Sequence, residues 1–335
     1  MKKTVDPAMR INVISIAGTI HQVAGQAGRS INEDHTAFKL AAEHLSHEIQ
    51  VSVLGKQPAS DMTLLQLADL KATIERWQRD FDAVILLMGT DSMEEVAFFL
   101  DSTMELGKPL IITGAMRPQS DPGYDGLRNF HDAVLVASHP IAKHTGALVV
   151  MNEEIHLGRQ LRKADSQRLS AFVSPAGPVG YIRAGRPQFP HGNLPCHRSL
   201  PIQLTPEDHQ IPILTGSIGA RFNPAHFTDC DGLVVAGMGT GTLPADMLRA
   251  LADWRQETRK PVVITTRCLT GDNYDTHYYP GSQRKYEQHG LTLQGYEGLT
   301  PQQARIRLWL ALNAKPTNEP PITGYHLPTP LLWGL

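Results

Sequence analysis

Short apolar runs that end at glycine turns constrain this chain more than any other feature. Residues 83–88 read AVILLM and stop at Gly89-Thr90-Asp91. Residues 12–16 stop just before Gly18-Thr19, residues 49–54 at Gly55 and residues 110–113 at Gly114, and residues 146–151 form a fifth run. Runs this continuous have no polar face, so each strand must be covered on both sides. Helical patterns separate them. Asp91-Ser92-Met93-Glu94 and Ser92-Met93-Glu94-Glu95 both fit a polar N-cap followed three residues later by a carboxylate. Met93, Val96, Ala97 and Leu100 then recur at helical spacing until Gly107-Lys108-Pro109 stops the helix, and residues 127–138 read as another. The expectation is an α/β fold on a parallel sheet.

The pattern breaks once. Between residues 183 and 205 proline and glycine accumulate, and strand-helix alternation then resumes with strands at residues 211–214, 232–236 and 261–266 and helices at 243–255 and 301–313. This predicts two domains in 335 residues: a larger N-terminal parallel-sheet domain over 1–190, a linker over 191–210 and a smaller C-terminal α/β domain over 211–335. Residues 325–335 are apolar but broken by Pro328 and Pro330, which suits packing into a groove or onto a neighbouring subunit.

Charge and composition exclude several classes of function. Thirty-one Lys and Arg against 33 Asp and Glu leave a net charge of −2, which predicts no nucleic-acid or membrane-surface partner. No run of about 18 apolar residues exists to span a bilayer. The fifteen histidines are scattered, so no metal site is expected, and Cys196, Cys230 and Cys268 are too few and too far apart for a disulfide framework. Met1-Lys2-Lys3 is not followed by an apolar signal core, so a cytoplasmic location is expected.

Ligands of open parallel sheets sit at the carboxyl ends of the strands. Three such ends carry candidate chemistry: Ala17-Gly18-Thr19-Ile20, Gly89-Thr90-Asp91 and Gly114-Ala115-Met116-Arg117-Pro118. Singly, each reads equally as an ordinary turn. No GxGxxG follows the first strand and no phosphate-binding lysine loop occurs, which disfavours a nucleotide enzyme. A threonine nucleophile needs a base, and a lysine held by an aspartate can serve. Lys163 lies in Gly158-Arg159-Gln160-Leu161-Arg162-Lys163-Ala164-Asp165, a stretch that spacing alone reads as a solvated charged run.

Longer motifs go further. Ile16-Ala17-Gly18-Thr19-Ile20 is similar to T-G-G-T-I, and Met88-Gly89-Thr90-Asp91-Ser92-Met93-Glu94-Glu95 to H-G-T-D-T-M-E-E. PLIITGAMRP at residues 109–118, Asp125-Gly126 with Asn129, and the stretch from Gly158 to Lys163 follow in order. So do Phe172-Val173-Ser174-Pro175, Gly177-Pro178-Val179-Gly180, Thr266-Arg267-Cys268-Leu269-Thr270-Gly271 and Tyr278-Tyr279-Pro280-Gly281. Together they resemble the bacterial L-asparaginase family, in its cytoplasmic type I form, along nearly the whole chain. The resemblance implies an amidohydrolase in which Thr19 attacks a side-chain amide carbonyl, Lys163 takes a proton through Thr90, and Asp91 binds the substrate ammonium. It implies a pocket of Gly18, Gly89, Asp91, Ala59, Ser60 and Ala115, release of aspartate and ammonia without cofactor or metal, and a homodimer or homotetramer with sites near a subunit interface.

Four departures stand out. Residues 21–35 lack the family's loop tyrosine and offer only His21 and His35 as polar stand-ins. Ala59 stands where a serine holds the substrate carboxylate, with Ser60 and Asp61 after it. Met88 replaces a His or Tyr, and Gly237-Met238-Gly239-Thr240-Gly241-Thr242 carries Thr where relatives carry Asn. Weak asparagine binding is the expectation, with a substituted amide as a second substrate class that Arg29 or Arg117 could engage. A non-catalytic amino-acid-binding or regulatory protein on the same fold is the competing reading. Retention of Lys163 argues against it, because binding alone does not need that residue.

Overall fold

The computed structural model describes residues 8–17, 22–25, 28–31, 36–105, 107–190, 192, 194 and 203–314. The chain divides into two compact units, Met1–Pro201 and Ile202–Leu335.

The first unit runs β1 (Arg10–Ala17), the hairpin β2 (Gln22–Gly25) and β3 (Gly28–Ile31), α1 (Thr36–Ala42), β4 (Glu48–Pro58), α2 (Leu64–Asp80), β5 (Ala83–Leu87) and α3 (Met93–Thr103). It continues with β6 (Leu110–Thr113), α4 (Gly126–Ser138), β7 (Ala147–Met151), β8 (Glu154–Leu157), β9 (Arg162–Lys163), β10 (Phe172–Val173), β11 (Gly180–Arg183) and β12 (Arg186–Gln188). Eight of these strands form one sheet in the order β12-β11-β8-β7-β6-β5-β1-β4. The five strands predicted from the apolar runs are the parallel part, β4-β1-β5-β6-β7. All five residues of β5 are buried, as are all of β6 and β7. Alternate residues serve opposite faces. Ile11, Val13, Ile85, Leu87, Ile111 and Leu148 pack with Phe130, Val134 and Ala137 of α4 and with Phe38 of α1.

The parallel-sheet α/β fold expected from the sequence is the one observed, and the sheet is mixed, though mostly parallel. At one edge β8, β11 and β12 add antiparallel pairs. Two tight turns make this possible. Asn152 and Glu153 take φ values of 50° and 65° between β7 and β8, and Ala184 and Gly185 take 50° and 70° between β11 and β12. Two successive residues at positive φ form the turn that matches strand twist in a hairpin. A second feature absent from the apolar pattern is α2, whose N-terminus is closed by a capping box between Thr63 and Gln66.

The second unit contains β13 (Ile213–Thr215), β14 (Leu233–Gly237), α5 (Ala245–Thr258), β15 (Val262–Thr266), α6 (Arg284–Glu287) and α7 (Pro301–Asn313). Its three strands are parallel, in the order β13-β14-β15. Leu233, Val235, Val262 and Ile264 pack with Trp254 and Tyr286. Thr300 and Gln303 form the capping box of α7, and the indole of Trp309 donates to the Glu207 carbonyl at 3.1 Å. Residues 325–335 and Cys196 lie outside the described residues.

One buried carboxylate ties the first unit together. Asp101, on α3, accepts from the backbone of Ala147 at 2.7 Å and from the Arg159 guanidinium at 3.1 Å. Removing one partner of a buried ion pair strands the other without compensation. Asp101→Ala should therefore lower stability by about 3 kcal/mol, read as a fall in the denaturant midpoint, and Asp101→Asn by less because the amide still accepts from Ala147.

Candidate active site

The order of the parallel strands decides where a ligand can sit. The chain places β4 on one side of β1 and then crosses to place β5 on the other. This reversal opens a crevice at the carboxyl ends of β1 and β5, the switch point where ligands of such sheets bind. Ser15 pairs with Leu87, Leu87 with Thr113, and Ala17 with Pro58. The carboxyl ends of β1, β4, β5 and β6 thus lie side by side at this edge of the sheet.

Gly89, Thr90 and Asp91 leave β5 at this edge. Thr90 is buried, whereas the Asp91 side chain is 84% exposed. Lys163 arrives on β9, which is held against β10 with Lys163 opposite Phe172. Its ammonium donates to Thr90 Oγ1 at 2.9 Å and to Asp91 Oδ1 at 2.6 Å, with only 14% of the side chain exposed. The solvated reading of this basic stretch is corrected: Arg162 is buried and Arg159 pairs with Asp101. Asp165 accepts from the backbone of Gln167 and Arg168, which holds its carboxyl below the usual range.

Neither capping pattern foreseen at the start of α3 forms. Ser92 is the N-cap without a side-chain bond, and among the described residues its buried hydroxyl has no hydrogen-bond partner. Asp91 is engaged by the Lys163 ammonium, and Glu94 accepts the Lys163 backbone N–H at 2.7 Å. A tertiary partner has displaced the local one. Burial raises the Glu94 pKa and the neighbouring Glu95 adds to this, while the Lys163 N–H and the charges of Arg162 and Lys163 oppose it.

The turn after β6 is clamped. Asp125 accepts from the backbone of Met116 and Arg117, both at 3.0 Å. Asn129 donates to the Gly114 carbonyl at 3.0 Å and accepts from Asn152 N at 3.0 Å. Ala115, between these anchors, is fully buried. Arg117 is exposed and stands 4.0 Å from Asp121. Gly114 allows close approach to the Thr90 segment. A Cβ there would lie 2.5 Å from the Met88 carbonyl oxygen, 2.9 Å from Met93 Cε and 3.4 Å from Thr90 Cγ2.

Ala59 is buried in a 3₁₀ turn, Ala59–Asp61, that directly follows Pro58. Ser60 is exposed, and its hydroxyl donates to Asp61 Oδ1 at 3.3 Å. Of the sequence candidates, Thr90, Asp91 and Lys163 meet in one cluster. Gly89 and Ala115 belong to the segments beside it, and Ala59 and Ser60 to the turn after β4. Gly18, Thr19, His21 and His35 lie outside the described residues.

Comparison with known proteins is consistent along the chain. Residues 10–193 match the model of the asparaginase N-terminal domain, and residues 213–320 that of the glutaminase/asparaginase C-terminal domain. The chain belongs to the asparaginase family. It is 30% identical to L-asparaginase 2 of Escherichia coli K12 over 332 residues, covering 91% of this chain and 90% of that protein. It is 28% identical to a probable periplasmic L-asparaginase of Haemophilus influenzae over 331 residues, 93% of this chain and 90% of the other. The crystal structure of a probable cytoplasmic L-asparaginase from Campylobacter jejuni superposes with a TM-score of 0.78 at 27% identity, covering 90% of this chain and 94% of that one. The molecule is thus an amidohydrolase of the asparaginase/glutaminase family.

Membership does not by itself single out Glu94, Asp125 or Asn129 as supports of the site. Asp125 and Asn129 stood in the sequence as parts of a motif and Glu94 as a helix cap; their tertiary partners had no local signal. The Gly114 contact gives a direct test. Gly114→Ala must push Met88 or the turn aside, at a cost of about 2 kcal/mol and a fall in melting temperature of roughly 5 °C. Thermal unfolding measures it.

Proposed function

We propose that this protein hydrolyses the side-chain amide of asparagine, or of a related substituted amide, with Thr19 as nucleophile. The observation that carries the reading is the Lys163 ammonium shared between Thr90 Oγ1 and Asp91 Oδ1. A lysine that donates to Thr90 leaves the threonine O–H free to donate in turn, which makes a relay for protons. Once Lys163 has given up a proton the chain runs the other way: Thr19 Oγ attacks the amide carbonyl carbon, Thr90 Oγ1 takes the Thr19 proton, and Thr90 passes its own proton to the neutral Lys163 amine. The tetrahedral oxyanion is held by backbone N–H groups of the turns near Thr19 and Thr90. The Lys163 ammonium so formed returns that proton through Thr90 to the leaving nitrogen, the C–N bond breaks with release of ammonia, and an ester to Thr19 remains. Water attacks the ester, the acid is released and Thr19 recovers its proton. Asp91, exposed at the rim, offers the Oδ2 of its carboxylate to a substrate ammonium. No metal or cofactor enters the scheme.

Recognition is the part that departs. With Ala59 buried and Ser60 turned to Asp61, the turn after β4 offers no hydroxyl from position 59 to a substrate carboxylate. This favours weak binding of free asparagine and a larger amide anchored elsewhere. The names of the similar proteins come from both compartments, and a cytoplasmic location belongs to the same proposal on the ground that no apolar signal core follows Met1-Lys2-Lys3. A homodimer or homotetramer belongs to the same proposal, supported by Tyr278 and Tyr279, adjacent and both exposed on the second unit. Light scattering on a sizing column tests it, and a monomer with full activity would overturn it.

Lys163→Met and Thr90→Val should each cut kcat for ammonia release by roughly 100- to 10,000-fold, the range of a lost proton-transfer group. Wild-type rates from either variant would refute the relay. Steady-state kinetics on asparagine, glutamine, D-asparagine and N-substituted amides should show a high KM for asparagine. Ala59→Ser should lower that KM by about tenfold, the worth of one hydrogen bond to a charged group, while kcat stays nearly unchanged.

A further inference from the structure

The residues that follow β5 grip Lys163 at both ends. Thr90 and Asp91 hold the ammonium, and one turn further on Glu94 holds the backbone N–H at 2.7 Å across 69 residues of sequence. Lys163 lies on β9, a strand of two residues whose pairing partner is the equally short β10. So short a ladder fixes a backbone poorly, and a lysine side chain has four rotatable bonds through which an error at Cα is amplified at Nζ. We propose that Glu94 is a positioning residue: its carboxylate sets the place of the Lys163 backbone so that the ammonium reaches Thr90 and Asp91.

Glu94 has a second job that is separable from the first. It is half-buried and faces the buried guanidinium of Arg162, the residue before Lys163, as well as Lys163 itself. Glu95, beside it on α3, is the like charge acting on it. Further along α3 the Arg159–Asp101 pair anchors the start of the same segment. The charge of Glu94 therefore serves the stability of the Arg162 environment, while its oxygen, charged or not, accepts from Lys163 N. A glutamine keeps the acceptor and loses the charge. An alanine loses both.

The inference rests on Lys163 acting at the reacting centre, and the test separates the two ideas. Glu94→Gln should keep kcat within about threefold of wild type while its melting temperature falls. Glu94→Ala should lose about 10- to 100-fold in kcat with KM changed less than threefold, because positioning acts on the reacting geometry and not on substrate binding. The readout independent of turnover is labelling of Lys163 by an amine-acylating reagent, followed by peptide mass spectrometry. Lys163 should label several-fold faster relative to the other lysines in Glu94→Ala than in wild type or Glu94→Gln. Equal labelling in all three proteins, or a Glu94→Gln variant as slow as Glu94→Ala, would overturn the assignment. A wild-type protein that releases no ammonia from any amide would overturn the proposed reaction instead, and the labelling result would still decide the role of Glu94.

Discussion

An ammonium group 2.9 Å from Thr90 Oγ1 and 2.6 Å from Asp91 Oδ1 must arrive from a segment more than 70 residues away, and much of the first unit can be understood as the apparatus that brings it there. Ordering a lysine side chain costs conformational entropy, of order 2 kcal/mol, before any bond is made. Three independent tethers meet that cost. Asp101 holds Arg159 at the beginning of the segment, Glu94 holds the Lys163 N–H, and β10 holds β9 from the other side. Two of the three tethers come from α3, and Thr90 and Asp91 lie immediately before it. One helix therefore positions both halves of the cluster, and their separation does not depend on any mobile connection.

That helix can serve this way because it is deeply embedded. Met93, Val96, Ala97, Phe98, Phe99, Leu100 and Asp101 are all buried, so α3 has little freedom to rotate. Its N-terminus projects at the crevice made by the β1/β5 reversal, where strand ends are unpaired and backbone N–H groups are free to meet a ligand. Beyond the neighbouring strand, Asp125 and Asn129 fix the turn from Gly114 to Arg117 through three hydrogen bonds, two accepted by Asp125 and one donated by Asn129, and Asn129 also accepts from Asn152 N between β7 and β8. Gly114 lets that turn lie against Thr90 and Met88 at backbone contact distance. Rigid elements carry the polar groups, and the turns that expose them are locked from behind.

The parallel core was legible because burial on both faces forces continuous apolar runs, and β5, β6 and β7 show the signal at full strength. The antiparallel edge was not, since EIHL, GYIR and RPQ are short, half-polar segments, and its two hairpins turn on only two residues each, 152–153 before EIHL and 184–185 between GYIR and RPQ. Helix α2 was overlooked although Thr63 and Gln66 carry a capping signature, because its apolar positions are diluted by charge. The site shows the opposite limit. Thr90, Asp91 and Lys163 were found through motif resemblance, and spacing alone would have left Lys163 in a solvated run. Glu94 was misread because a carboxylate three residues after a polar side chain describes a helix cap and a long-range acceptor equally well. Only the tertiary fold distinguishes them.

The placement of the departure at position 59 follows from the same topology. The Thr90–Asp91–Lys163 cluster sits where β5 and β6, both central strands, end against α3. The turn carrying Ala59 and Ser60 follows β4, the edge strand of the sheet. Pairing between β1 and β4 is already irregular there, with register shifts between Ser15 and Ile16 and between Ile16 and Ala17. A change at position 59 therefore falls at an edge that reaches the centre only through β1, at the irregular end of the β1–β4 pairing, and it need not propagate to Thr90 or Lys163. A change of similar size at Gly114 would meet the Met88 carbonyl at once. Thr90, Asp91, Gly114 and Lys163 keep the family's residues at the constrained centre and Ala59 departs from them at the edge, while Met88, a departure directly after β5, is a fully buried apolar residue that the packing there accommodates.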